Sequence, residues 1–228
     1  MEFVAYSQVS HELWNELLKK HVSSEGLVNY KSFIKDSLIL DKYLNLLESN
    51  YPQARWSDNE VKAYWINAYN AYTVKLIILH YPVKGIKEIG GSIPFVNSTW
   101  DIKFIRINGE KKDLNNIEHG ILRKKFDDPR IHMSLVCASK SCPILRNEAY
   151  NGERLDKQLD DQARNFLKDN FRNKITASNA QISLIFKWYG RDFRKLGGVK
   201  SFINKYSAVK ITDNTKITHM EYDWNLNE

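Results

Sequence analysis

Only two of the 228 residues are cysteine, Cys137 and Cys142, and they stand close together in the chain. So small and tight a pair cannot staple a disulfide-dense scaffold or close a long loop, so its role is local. Proline (5) and glycine (10) are also sparse, which excludes a collagenous or low-complexity chain. No apolar run approaches the ~18 residues of a membrane-crossing helix, the longest being Leu76 to Leu79, and the chain is expected to be soluble. No repeat or linker divides it. Met1 to Tyr6 holds no basic segment followed by an apolar one, so no export signal is read there. A periplasmic or surface location is expected only if such a signal has been trimmed away.

What the chain does have is aromatic bulk: 10 Phe, 12 Tyr and 6 Trp, within a hydrophobic fraction of 43%. That is enough to build a full core without metal or disulfide support, and it excludes disorder. The net charge of +7 favours acidic partners. The basic residues, however, are scattered through Lys19, Lys20, Lys111, Lys112, Lys124, Lys125, Arg191, Arg194 and Lys195 with acids between them. This is the pattern of a solvated surface, and no specific nucleic-acid partner is expected.

Hydrophobic spacing predicts a helix opening near Ser10, with Leu13, Trp14, Leu17 and Leu18 on one face, and a second through Leu38 to Leu47. Ser57 and Asp58 offer an N-cap to a long helix, Asn59 to His80, whose broad apolar face predicts burial; Pro82 stops it. Gly85, Gly90, Gly91 and Pro94 then mark a loop. Asn108-Gly109 predicts a hairpin within Trp100 to Lys112. Asp113 can cap a helix over Leu114 to Phe126. Alternation across Arg130 to Cys137 predicts a buried strand. A helix follows over Glu153 to Asp169, a strand over Ala180 to Ile185, a helix over Phe186 to Leu196 ended by Gly197-Gly198, a helix near Lys200 to Tyr206 and a strand near Lys216 to Tyr222. The sum is an α+β fold, helix-rich, around a small, mostly antiparallel sheet. One domain is expected over 1–228, with N-terminal helices at 10–50, a motif-bearing core at 57–195 and a C-terminal extension at 196–228.

Chemistry concentrates in Arg130 to Pro143. Here His132 precedes a loop of small residues, Ala138-Ser139-Lys140-Ser141, that ends in Cys142. Small residues allow close approach to a nucleophile, and the backbone N–H groups of Ser139 to Cys142 can face a developing oxyanion. Cys137 shares the apolar face of the predicted strand and reads as a core residue, whereas Cys142 leaves that pattern and is the candidate nucleophile. A thiol needs a base or a positive field to ionise, for which His132, His119, Lys140 and Arg146 are candidates. On the helix from Leu114, His119 and Arg123 are four apart and share a face with Asn115 and Asn116. His119 can orient a thiol, and Arg123 offers a fork for a carboxylate or phosphate. Asn67 and Asn70, three apart among aromatics, must each hold a backbone group, another side chain or a ligand. In Ile185 to Phe193 core packing is the favoured role, with a carboxylate at Asp192 fixing a histidine as the alternative.

The combination of Trp65-Ile66-Asn67-Ala68-Tyr69-Asn70-Ala71, Ile117-Glu118-His119-Gly120-Ile121-Leu122-Arg123, His132 with Cys137 to Pro143, and Phe186-Lys187-Trp188-Tyr189 before Asp192-Phe193 resembles the family called domain of unknown function 547. The closing Tyr222-Asp223-Trp224-Asn225-Leu226-Asn227 is similar to the end of its bacterial members. The resemblance implies no reaction, since the family carries no assigned activity; its bacterial members often bear export signals. It does support Glu118, His119, Arg123, His132 and Cys142 as site residues.

Two functions compete. The first is a thiol-dependent hydrolase or acyltransferase in which Cys142 attacks an acyl carbon, His119 or His132 takes the proton, and Asn67 or backbone amides steady the oxyanion. Its parts are those of papain and transglutaminase-like enzymes, although here a histidine precedes the cysteine. The second is a binding module for a small anionic or peptide ligand, lined by Asn67, Asn70, Glu118 and Arg123. A metal on His119, His132, Glu118 and Cys142 would lack close-spaced ligand pairs, so no metal or cofactor is expected.

Overall fold

The computed structural model describes residues 9–90 and 98–228. The segment Met1 to Tyr6 considered for an export signal, and Gly91 and Pro94 of the predicted loop, lie outside the described residues.

The organising element is α4 (Asp58–His80), which follows α1 (Glu12–His21), α2 (Tyr30–Lys35) and α3 (Ser37–Ser49). Ser57 starts it with a full capping box: its hydroxyl accepts from the Glu60 N–H, and the Glu60 carboxylate accepts from the Ser57 N–H. From Val61 to Val74 every side chain of α4 is buried, so the helix is enclosed all round and not merely amphipathic. Helices α2 and α3 pack on it, with α1 against both. Trp14 stacks on Tyr43 at 5.9 Å, and the Tyr64 hydroxyl donates to the Leu47 carbonyl at 2.6 Å.

After α4 come the short α5 (Lys87–Gly90) and a hairpin, β1 (Ile105–Ile107) with β2 (Glu110–Lys112). The hairpin turns on Asn108 and Gly109, both at positive φ (56° and 70°), the backbone for which that residue pair is suited. The helix predicted from Asp113 is present, and the Asp113 carboxylate accepts from the Asn116 N–H at 2.6 Å. Its middle, Asn116–Leu122, is π-helical before it tightens into α6 (Arg123–Lys125).

A second hydrophobic cluster is built by α7 (Leu155–Lys168), β3 (Lys174–Ile175), β4 (Asn179–Ile182), α8 (Ile185–Trp188), α9 (Val199–Tyr206) and β5 (Lys216–His219). Phe166, Phe186, Phe193, Phe202 and Tyr206 fill it. The strand order is β3-β4-β5, with β3 antiparallel and β5 parallel to β4. The expected α+β, helix-rich class is what the chain adopts, although its strands form two small sheets and one pairing is parallel.

Two predicted elements differ. Arg130 to Cys137 is not a strand: Pro129–Met133 is a 3-10 turn and the following residues are irregular. Pro129 favours a helical start, the Asp128 carboxylate accepts from the Arg130 N–H at 3.2 Å, and burial of all six residues from Ile131 to Val136 removes the meaning of alternation. The helix predicted over Phe186 to Leu196 is only Ile185–Trp188, then turns, with Gly197 at φ 84° closing a 3-10 turn.

The segment from Ile131 to Cys142 runs along the seam between the two clusters. Ile131, Leu135, Val136 and Cys142 belong to the first and Met133 to the second. An ion-pair network clamps its start: the nearly buried Lys62 of α4 meets Asp128 at 2.8 Å, and Arg130 meets Asp128, Asp156 and Asp160 at 2.8, 2.7 and 2.7 Å. Burial opposes the charge on Asp128, but Arg130 and Lys62 overcome it and hold its pKa down to about 2. Among the described residues no helix is long and apolar enough to cross a membrane.

Candidate functional site

Where that segment leaves the seam, a cleft of about 320 Å³ opens. Its lining includes Tyr69 from α4, Glu118 and His119 from the π-helical turn, His132, Cys137 and Cys142 from the seam, and Tyr189, Tyr222 and Trp224 from later in the chain.

His132, only 5% exposed, is held from two sides. Its Nε2 lies 2.8 Å from Asp192 Oδ2, and its ring stacks on Tyr189 with centroids 4.0 Å apart. Asp192 is in turn gripped by Arg123, whose Nε and Nη2 donate at 2.6 and 3.0 Å, while Nη1 of the same guanidinium lies 2.9 Å from His119 Nδ1. The hydrogen bond from His132, opposed by burial and reinforced by Arg123, keeps the Asp192 carboxyl well below the usual carboxylate range. In a neutral ring, donation of Nε2–H to the ionised Asp192 puts the lone pair on His132 Nδ1.

The two cysteines are free, with their sulfurs 2.7 Å apart. Cys142 is 3% exposed and receives the Cys137 backbone N–H on its sulfur at 2.8 Å. Cys137 is half-buried, with Ser139 Oγ at 3.3 Å and the Tyr222 hydroxyl at 3.4 Å from its sulfur. Burial works against ionisation of Cys137, but hydrogen bonds from Cys142, Ser139 and Tyr222 outweigh it and lower its pKa. For Cys142 burial, then the hydrogen bond and charge of Cys137, push the pKa well up. The two thiols are thus shifted in opposite directions, Cys137 down and Cys142 up.

Of the other expected site residues, His119 and Glu118 line the cleft, Glu118 being 6% exposed and His119 open to solvent. Arg123 has its fork committed to Asp192 and so braces the site instead of offering it to a ligand carboxylate. Asn67 and Asn70, expected to bind ligand, are fully engaged with backbone. Asn67 donates to the Tyr150 carbonyl at 2.8 Å and accepts its N–H at 2.9 Å. Asn70 donates to the Ser134 carbonyl and accepts the Val136 N–H, both at 2.9 Å. Each amide copies one rung of a β-ladder and so tethers an irregular segment to α4. Three of the expected oxyanion donors are also occupied: the N–H groups of Lys140, Ser141 and Cys142 donate to the carbonyls of Asn225, Asp223 and Ser139.

Aromatic residues were expected in a ligand pocket, but the sequence did not show that Trp100, Trp188, Tyr222 and Trp224 meet in one wall. Trp188 stacks on Trp224 at 5.9 Å, Tyr222 lies 4.5 Å from Trp224, and Trp100 meets Trp224 edge-on at 5.9 Å. Lys87 Nζ sits 3.7 Å over the Trp224 ring. The one available signal was that the closing Tyr222 to Asn227 stretch keeps aromatic and amide residues where a frayed tail would be polar. That stretch is pinned in place by Leu226 N–H to the Lys84 carbonyl at 2.9 Å and by Tyr30 O–H to Asn227 at 2.7 Å. Among the described residues no group of three or more His, Cys, Asp or Glu side chains can hold a metal ion.

A family model described as "Protein of unknown function, DUF547" matches residues 53–167, half of the chain. The chain belongs to this DUF547 family. The matched stretch carries Glu118, His119, Arg123, His132 and both cysteines, while Asp192, Tyr189, Tyr222 and Trp224 lie beyond it. No curated protein and no solved structure matches the chain.

Proposed function

We propose that this DUF547 protein carries out thiol-dependent acyl chemistry, as a hydrolase or acyltransferase, with Cys137 as the nucleophile in the role first given to Cys142. One observation carries this reading: a thiol with lowered pKa and a histidine anchored on a carboxylate open into the same cleft. Nδ1 of His132 takes the Cys137 proton. The thiolate then attacks the acyl carbonyl carbon, forming a C–S bond as the carbonyl electron pair moves onto oxygen. Tyr69 is the donor for that oxyanion. Tyr69 lines the cleft, and burial, followed by the nearby Glu118 charge, raises its pKa so that it stays protonated. His132 returns its proton to the departing amine or alkoxide, and water or an acceptor resolves the thioester.

The second reading, a binding module without chemistry, draws on the aromatic wall of Trp100, Trp188, Tyr222 and Trp224. The test is iodoacetamide alkylation with peptide mapping from pH 5 to 9, alongside acetylation by p-nitrophenyl acetate. Cys137 should react at least ~10-fold faster than Cys142, at a rate that rises through a pKa below the ordinary ~8.5. An acetyl group should appear on Cys137 and be lost in Cys137→Ser but not in Cys142→Ser. Equal, slow labelling with no acetylation leaves the binding module as the function.

A further inference from the structure

The two cysteines sit closer together than the acyl chemistry requires. A nucleophilic thiol needs a base and an oxyanion donor, not a second thiol in direct contact with it. Their loop is folded to bring them there. Ala138 adopts a left-handed backbone (φ 57°), and the Cys142 N–H closes a turn onto the Ser139 carbonyl at 3.1 Å. The C-terminal segment then holds the loop through Lys140 N–H on the Asn225 carbonyl at 2.9 Å and Asp223 N–H on Ser141 Oγ at 2.9 Å. From the other side Arg172 donates to the carbonyls of Cys142 and Lys140 at 2.5 and 2.7 Å. The pair is also asymmetric. Both line the cleft, Cys137 the more exposed and Cys142 only 3% exposed.

We propose that Cys137 and Cys142 form a dithiol centre that reacts with small hydroperoxides, Cys137 being the attacking thiol and Cys142 the resolving one, to give an intramolecular disulfide. The Cys137 thiolate attacks the terminal oxygen of the hydroperoxide. The O–O bond breaks, an alcohol or water leaves after taking a proton, and Cys137 is oxidised to a sulfenic acid. The Cys142 sulfur then attacks the Cys137 sulfur, the S–S bond forms, and the expelled hydroxide takes the Cys142 proton to leave as water. Two thiols lose two electrons to one peroxide, and a dithiol reductant returns them by thiol–disulfide exchange. The lowered pKa of Cys137 and the raised pKa of Cys142 suit these roles, since the first step needs a thiolate at the cleft. The partner thiol, 3% exposed, is the less accessible of the two.

The proposal needs only the two sulfurs and stands apart from the acyl reading. It is tested on the full chain with hydrogen peroxide, counting thiols and mapping peptides by mass. One equivalent of peroxide should remove both thiols, link the Cys137 and Cys142 peptides within one chain, and cut iodoacetamide labelling of Cys137 by at least ~20-fold, with recovery in dithiothreitol. Cys142→Ser should leave a dimedone-trappable sulfenic acid on Cys137, and Cys137→Ser should leave Cys142 unoxidised. Persistence of both thiols in excess peroxide, links only between chains, or equal oxidation of Cys142 in Cys137→Ser would overturn it. Fast alkylation and acetylation of Cys137 without disulfide formation would sink this inference and leave the acyl chemistry standing; a disulfide without acetylation would do the reverse.

Discussion

Replacing Asn70 by alanine isolates what holds the site segment in its irregular path. The side chain is 2% exposed, and its amide makes two hydrogen bonds of 2.9 Å, to the Ser134 carbonyl and from the Val136 N–H. Alanine leaves both backbone groups in a dry interior with no replacement. At about 1 to 3 kcal/mol for each orphaned group, the loss should reach about 3 to 4 kcal/mol, a large share of the 5 to 15 kcal/mol typical of a folded domain. Urea unfolding measures this directly, and hydrogen exchange at the Val136 amide locates it. Asn70→Asp is a sharper probe, because one carboxylate oxygen can still accept from Val136 while the other faces the Ser134 carbonyl. Only the protonated acid can donate there, so the folded state favours the proton and the cost of this variant should grow as pH rises above about 4. Asn115→Ala, which removes one half-buried bond of 2.8 Å to Asp101, should cost within about 1 kcal/mol. A loss below about 1 kcal/mol for Asn70→Ala, with Val136 exchange unchanged, would refute the tether.

Three further outcomes follow from other parts of the structure. His11 has a buried Nε2 with no partner, its Nδ1 lies 2.7 Å from the Tyr43 hydroxyl, and burial lowers its pKa to about 4. Its folded pKa lies below the unfolded value, so stability is full above pH 6.5 and falls as pH drops toward 4; wild type should lose about 2 kcal/mol more than His11→Gln between pH 7.5 and 4.5 in urea titrations. Asp192→Asn strips His132 and Arg123 of a shared anion, and should move the pH profile of Cys137 alkylation while leaving its plateau rate nearly intact; an unmoved profile would separate His132 from that thiol. In Gly152→Ala the new Cβ would come 2.7 Å from Glu60 Cγ and 3.0 Å from Glu60 Cα at the start of α4, and thermal unfolding should show a loss of about 1 to 3 kcal/mol.

Periodicity and punctuation located most of the helices because those signals are local. The Ser57 capping box, the Asn108-Gly109 turn and the Gly197 stop each act within a few residues, and each is where the chain led one to look. Alternation failed at 130–137 for a physical reason. Where every position from Ile131 to Val136 is buried, a side chain's direction no longer leaves a polar trace, and the Pro129 start and Asp128 cap decide the backbone.

The candidate site divides in the same way. His132, His119, Glu118 and the cysteine pair were visible as residue types gathered in two short stretches. The opposite shifts of the two thiols were not visible, because they depend on Tyr222 and on the burial of Cys142. Nor could spacing show that Arg123 and Asn70 serve the protein's own groups, since their partners at Asp192 and at Ser134 and Val136 lie 69 and about 65 residues away. The amino-acid order by itself determined the helix-rich α+β class, the start and stop of the central helix and the residue types available for chemistry, all of which follow from composition and contacts between near neighbours. The tertiary structure alone decided the roles, because hydrogen-bond partners and exclusion of water come from segments that meet only when the two hydrophobic clusters close on their common seam.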